Sequence, residues 1–164
     1  MLTTSQLNFD TINRTDDEVG ITRSRLYLHS LINEQIKAGI PSHRIVLGGF
    51  SQGGAMSIFA GLTFKERLAG VFGLSCYQLM DKKFDQIHQE SGSQKPPVFM
   101  GHGKEDPVVR YDWGKMTAEG LKRRGFKVDW HEYPGIPHSV APEEIDELER
   151  WVAARLKETE NGAA

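Results

Sequence analysis

The chain has 164 residues and a formal net charge of -2, with 20 basic and 22 acidic side chains. One hydrophobic core suffices for an independent domain of this length. The balance of charge argues against nucleic acid or an anionic membrane as an electrostatic partner. A single cysteine excludes an internal disulfide framework and favours a reducing compartment. No apolar run approaches the roughly 18–20 residues of a membrane span, and the first ten residues do not resemble a signal peptide.

The hydrophobic pattern alternates between strand-like and helix-like segments, which predicts a mostly parallel sheet flanked by helices. Thr15 and Glu18, a hydroxyl and a carboxylate three residues apart, have the spacing of a capping box and mark the start of the first helix. Gly39 ends this helix. The remaining predicted segments are strands at 44–50, 68–74, 97–103 and 127–133, and helices at 52–62, 111–124 and from 142 onward.

Three further expectations concern the less regular parts of the chain. The polar stretch 81–95 predicts a surface loop that contains one helical turn at most. The last helix carries an apolar stripe that predicts its buried face. This stripe consists of Ile145, Leu148, Trp151, Val152 and Leu156. We expect one domain over residues 1–164, with disordered ends at 1–8 and 158–164.

A G-x-S-x-G sequence, Gly49-Phe50-Ser51-Gln52-Gly53, lies between a predicted strand and a predicted helix. The two flanking glycines permit a tight turn with close backbone approach, which projects the Ser51 hydroxyl beyond the carboxyl-terminal edge of the sheet. Such a turn is the nucleophile elbow of α/β hydrolases. The alternative is a glycine-rich turn that contains a serine by chance.

A serine nucleophile needs a general base, and the base needs a carboxylate that orients it. In this architecture the chain order is serine, acid and histidine, with each residue at the end of a strand. Asp106 follows the third predicted strand and His138 follows the fourth. Glu105 is the rival acid, and we favour Asp106 because Pro107 after it fixes the turn. The pattern therefore predicts a triad of Ser51, Asp106 and His138.

The other histidines and the cysteine lie outside this pattern. We expect His29, His43 and His88 to be solvated, and His102 to help shape the loop after the third strand. Cys76 has no motif around it and is expected to be a buried core thiol.

Three blocks of sequence resemble the acyl-protein thioesterases, close to the phospholipase/carboxylesterase family. The first is residues 48–55 with Gly39-Ile40-Pro41 before it, the second is 102–108, and the third is 138–139. The similarity extends from about residue 9 to the last helix. Because the blocks occur in the family's order, the resemblance is more specific than any one motif.

The resemblance implies an α/β-hydrolase fold and a serine hydrolase that removes palmitoyl or other long-chain acyl groups from protein cysteine thioesters. Lysophospholipase and carboxylesterase activity would accompany it. Ser51 would attack the acyl carbonyl, His138 would act as the base and Asp106 would orient it, with no metal or cofactor. The expected substrates are S-acylated proteins or lipid esters, and the expected location is cytoplasmic and also nuclear. We expect no nucleic acid partner and no stable membrane insertion.

Family members also carry several strands and a His-Gly loop before the first helix, and only about seven residues precede the matching stretch at Phe9. The resemblance therefore implies an N-terminally truncated form of the fold. The backbone N–H of Gln52 would be the remaining oxyanion donor, and losing the other donor costs about 10²–10³ in rate. The strand at 45–47 would become an exposed apolar edge. A second hypothesis is a truncated product with little activity that acts through binding or self-association.

Overall fold

A computed structural model describes residues 17–161, with side chains described as far as residue 157. Helices and strands alternate along this part of the chain. The helices are α1 (Glu18–Lys37), α2 (Ser51–Leu62), α3 (Asp81–Ser91), α4 (Tyr111–Arg123) and α5 (Pro142–Asn161), with a short 3₁₀ turn at Ser42–Arg44. The strands are β1 (Val46–Phe50), β2 (Gly70–Leu74), β3 (Val98–Gly103) and β4 (Val128–Tyr133).

The four strands form one parallel sheet in the order β1-β2-β3-β4. Phe50 is in register with Leu74, and Gly103 with Tyr133, so the carboxyl-terminal ends of the strands meet at one edge of the sheet. The prediction of a mostly parallel α/β sheet is confirmed. Within residues 17–161, β1 pairs with β2 alone.

The core forms where α2 packs closely on the sheet. Ile58, Phe59 and Leu62 on this helix are fully buried. At Gly61 a Cβ atom would lie 2.6 Å from Cγ2 of Val71 on β2, so the helix backbone itself contacts the strand. The small residues of α2 thus allow the close helix–sheet packing that also sets the position of its first residue.

Two histidines that we expected to be solvated instead bind the end of α2. Nε2 of His29 on α1 lies 2.8 Å from the carbonyl oxygen of Ala60, and Nδ1 of His88 on α3 lies 2.6 Å from that of Leu62. The last carbonyls of a helix lack partners within the helix, so these side chains satisfy them. Burial lowers the pKa of His29, which favours the neutral ring. His43 is exposed as predicted.

The predicted surface loop at 81–95 is wrong, because residues 81–91 form the helix α3. The polar composition obscured its apolar contacts. Phe84 is fully buried and Ile87 packs against the core one turn later. Gly92 ends the helix in a left-handed conformation, with φ 64°.

The start of α1 and the end of α5 differ from the predicted boundaries. The carboxylate of Asp17 caps α1 by accepting the N–H of Gly20 at 3.0 Å, whereas Thr15, the predicted cap, lies outside the described residues. The stretch 1–8 lies outside them too. Residues 158–161, expected in a disordered tail, continue α5 because no helix-breaking residue occurs before Gly162.

The buried face of α5 differs from the predicted apolar stripe at its first position. Ile145 is 50% exposed, while Glu144 beside it is fully buried. Leu148, Trp151 and Val152 are partly buried, as a helix face against the sheet requires.

Candidate active site

Ser51 lies at a sharp turn where β1 ends and α2 begins. Its φ of 54° is in the left-handed region, which is strained for a residue with a side chain. At Gly49 a Cβ atom would lie 2.6 Å from the backbone carbon of Gly53, and at Gly54 one would lie 2.8 Å from the carbonyl oxygen of Gly49. A Cβ atom at Gly53 would have no described atom within 4 Å, apart from the backbone of its own helical turn. The close approach therefore depends on Gly49 and Gly54, and the predicted role of Gly53 in it is wrong.

The structure brings together the three side chains that the sequence pattern selects. His138 Nε2 lies 3.0 Å from Ser51 Oγ, and His138 Nδ1 lies 2.7 Å from Asp106 Oδ2. A proton on Nδ1 and a lone pair on Nε2 satisfy both contacts, so Nδ1–H donates to the carboxylate and Nε2 accepts from the serine hydroxyl. The Asp106 side chain is completely buried, whereas that of His138 is 19% exposed. The ring of Phe50 packs against the imidazole at 4.7 Å between centroids.

The Asp106 carboxylate is held by a turn of its own chain. Oδ1 accepts the N–H groups of Val108 at 2.8 Å and Val109 at 2.9 Å. His102 Nε2 donates to the carbonyl oxygen of Val109 at 2.8 Å and lies 3.5 Å from Asp106 Oδ2. Burial lowers the pKa of His102, so the neutral ring shapes this loop as predicted. Oδ2, the other carboxylate oxygen, faces His138 at 2.7 Å.

Glu105, the rival acid, has a different contact. Its carboxylate accepts the N–H of Gly135, and its own N–H donates to the carbonyl oxygen of Ile136 at 3.2 Å. Between them, the two acidic neighbours attach the loop after β3 to the loop after β4. Asp106 contacts the His138 side chain and Glu105 contacts the backbone of the histidine loop.

Gln52, the predicted oxyanion donor, is the second residue of α2. The first N–H groups of a helix have no partner within it, and they carry the positive end of the helix dipole. The backbone N–H of Gln52 is therefore one of these unpartnered groups at the N-terminal end of α2.

Cys76 offers no second nucleophile. Its thiol is fully buried, and burial raises its pKa to about 12, so the thiolate does not form near neutral pH. Among the described residues no three His, Cys, Asp or Glu side chains are grouped as metal ligands would be. None of the helices in residues 17–161 is long and apolar enough to cross a bilayer.

The parallel sheet, with a left-handed serine turn between its first strand and the following helix, defines an α/β hydrolase. A sequence model described as Phospholipase/Carboxylesterase matches residues 5–156, and the chain belongs to this family. The resemblance inferred from the sequence is confirmed.

Named relatives agree with this assignment. The chain is 47% identical over 148 residues to acyl-protein thioesterase 1 of Gibberella zeae, covering 90% of this chain and 63% of the relative. It is 46% identical over 148 residues to that of Neurospora crassa, covering 90% and 60%. For Emericella nidulans the identity is 46% over 160 residues, covering 96% and 66%. The chain thus spans 60–66% of the length of these relatives.

Solved structures show the same fold. Arabidopsis thaliana SOBER1 superposes with a TM-score of 0.80 at 27% identity, covering 88% of this chain and 69% of that one. Zea mays acyl-protein thioesterase 2 superposes with a TM-score of 0.73 at 27% identity, covering 88% and 68%.

Two features of the site had no sequence motif. The Asp106 carboxylate binds backbone N–H groups, which every sequence contains, so nothing distinguishes Val108 and Val109 as donors. The buried Glu144 follows the histidine loop at the third position of α5. That position is usual for a carboxylate that caps a helix, and the pattern does not reveal its burial.

Proposed function

We propose that this chain carries the catalytic centre of a serine hydrolase that removes palmitoyl or other long-chain acyl groups from protein cysteine thioesters. Lysophospholipids and carboxylic esters are further substrates of the same chemistry. The observation that carries the proposal is the continuous contact from Ser51 Oγ through His138 to Asp106, at 3.0 and 2.7 Å.

The reaction is an acyl transfer in two steps. His138 Nε2 takes the proton of the Ser51 hydroxyl as the oxygen attacks the thioester carbonyl, and the imidazolium then protonates the leaving thiolate. Water next attacks the acyl-serine with His138 again as the base, which releases the carboxylic acid and restores the serine. The buried Asp106 carboxylate keeps Nδ1 protonated and stabilises the positive ring.

Negative charge on the carbonyl oxygen in both steps needs donors. We assign this role to the N–H of Gln52; its position as the second residue of α2 supports the assignment, because the helix dipole favours an anion there. The short distance along the chain between nucleophile and donor keeps the two in fixed relation.

The choice of substrate rests on the relatives, which are named acyl-protein thioesterase 1 at up to 47% identity. Their names support S-acylated proteins as substrates, and with them a role in depalmitoylation and in lipid and fatty acid metabolism. The cytoplasm, with the nucleus, is the location that fits such substrates and the single buried thiol.

Covalent labelling tests the proposal. A fluorophosphonate probe should label the purified protein at Ser51, and Ser51→Ala should abolish both labelling and hydrolysis of an octanoyl ester. Ser24→Ala, at an exposed position of α1, is the matched control and should react like the wild type. The proposal is wrong if the wild type hydrolyses the ester no faster than Ser51→Ala.

A second candidate, binding through self-association with little hydrolysis, is favoured by one observation. Within the described residues β1 has one neighbour and so presents unpaired backbone groups along its other side. Sedimentation of the purified chain tests this candidate. A concentration-dependent dimer that Leu47→Lys abolishes would support it, and a monomer at all concentrations would exclude it.

A further inference from the structure

Glu144, in the first turn of α5, is a carboxylic side chain with no solvent exposure. Its Oε2 accepts the N–H of Ala141 at 3.2 Å, and its Oε1 has no hydrogen-bond partner among the described residues. A glutamate at this helix position ordinarily caps the helix from the surface. Complete burial of a carboxyl group costs free energy, so capping alone does not account for its position.

The Glu144 carboxyl group lies between β3 and β4, the two strands that lead into the loops of Asp106 and His138. At Gly101 on β3 a Cβ atom would lie only 2.2 Å from Glu144 Oε1, and that same position is 3.2 Å from Cε2 of Tyr133 on β4. The space left by the glycine is therefore filled by the Glu144 carboxyl group. Gly101 precedes Asp106 by five residues, and Tyr133 precedes His138 by five.

The histidine loop between β4 and α5 is attached at both ends. At its start Gly135 N–H binds the carboxylate of Glu105. At its end Ala141 N–H binds Glu144. In the middle the loop backbone lies directly on β3, because a Cβ atom at Gly103 would be 2.3 Å from the carbonyl oxygen of Ile136.

We propose that Glu144 is a positioning residue for the general base: its buried carboxyl group fixes Ala141 against β3 and β4 and thereby holds the His138 ring between Ser51 and Asp106. The assignment rests on the proposed hydrolase function. In this role Glu144 acts through the histidine loop and not by touching the substrate.

The electrostatic surroundings decide which variant mimics the wild type. Burial is the main cause that raises the pKa of Glu144 to about 7; the Ala141 N–H opposes the rise, and the nearby Glu147 carboxylate contributes to it. From β4, Tyr133 donates its hydroxyl to Glu147 at 2.6 Å, and His131 Nδ1 lies 3.0 Å from the same carboxylate. The neutral acid is therefore well populated near neutral pH, and an amide reproduces its shape and its acceptor oxygen.

The test compares Glu144→Gln and Glu144→Ala with the exposed neighbour variant Glu143→Gln. Two quantities are measured for each: the rate of fluorophosphonate labelling at Ser51, and the downfield proton resonance of His138 Nδ1–H, assigned by its loss in His138→Gln. Thermal melting establishes that each variant is folded at the temperature used. We expect Glu144→Ala to lower the labelling rate about 10–100-fold, as a displaced base does, and to broaden or remove the resonance. Glu144→Gln and Glu143→Gln should keep the labelling rate within a factor of about three of the wild type, and both should keep the resonance.

Two results would overturn the proposal. One is a folded Glu144→Ala protein with the labelling rate and resonance of the wild type. The other is that Glu144→Ala and Glu144→Gln lose the same labelling rate while both keep the His138 resonance of the wild type. The resonance is independent of turnover, so a wild type that shows it but cleaves no thioester contradicts the proposed function and leaves the positioning role to be decided by the variants.

Discussion

Ser51 and Ser75 lie at the same level at the ends of adjacent parallel strands, and both have left-handed backbones, with φ 54° and 47°. Their preceding residues, Phe50 and Leu74, are register partners. The Ser75 hydroxyl is buried without a hydrogen-bond partner in the described part of the chain, whereas Ser51 meets His138. Two similar turns thus differ in what the hydroxyl reaches, and only the first opens a helix.

The strain at Ser51 predicts an opposition between stability and activity. A left-handed residue with a side chain costs about 1–2 kcal/mol, which glycine avoids. We expect Ser51→Gly to melt at or above the wild-type temperature while losing all hydrolysis. Ser51→Ala keeps the Cβ atom and should melt below Ser51→Gly. Differential scanning calorimetry of the three proteins measures this order, and the reverse order would show that the turn is unstrained.

The glycines of the elbow should respond very differently to the same substitution. Gly49→Ala and Gly54→Ala place a Cβ atom within 2.6–2.8 Å of backbone, so both should strongly destabilise the protein. Gly53→Ala meets no described atom and gains up to about 1 kcal/mol of helix propensity. Urea unfolding of the three variants measures the difference, and a large loss of stability in Gly53→Ala would contradict the account.

Asp106 and Glu105 should also separate in kinetics. Asp106→Asn removes the carboxylate that holds the correct tautomer, and we expect kcat/KM for a soluble ester to fall by about 10⁴. Glu105→Gln keeps an acceptor for Gly135 N–H and should lose less than about tenfold in kcat/KM. If Glu105→Gln is the more damaging change, the orienting acid is misassigned.

Sequence reasoning succeeded where chemistry demands particular side chains in a particular order. Ser51, Asp106 and His138 could be selected, and the structure places their side chains in contact, because a nucleophile, an acid and a base follow strands in that order in this fold. It failed at α3, where the buried Phe84 is surrounded by polar residues. No pattern in the sequence indicates that Glu144 is buried, because its carboxyl group fills the space left above Gly101, a contact between two distant parts of the chain.

The buried Glu144 should also make the stability of the protein depend on pH. Its pKa is about 7 in the fold against 4.5 for the unconstrained group, so the native state binds its proton more tightly than the unfolded state does. The stabilisation from this proton is complete below pH 4.5 and is lost as the pH rises through 7.

The melting temperature of the wild type minus that of Glu144→Gln should therefore decrease between pH 5 and pH 8. Comparing the two proteins at each pH cancels the contribution of the other titrating groups. A difference that increases over this range would mean that Glu144 is bound as a carboxylate.

If the chain transfers an acyl group through Ser51, an acyl-enzyme forms on this residue and can be trapped. Rapid mixing of the chain with a palmitoyl thioester, followed by acid quenching and intact-mass measurement, should show one palmitoyl group per chain. Peptide mapping should place that group on Ser51, and both Ser51→Ala and His138→Gln should lack it. Thioester cleavage without an adduct, or an adduct at another residue, would exclude Ser51 as the nucleophile.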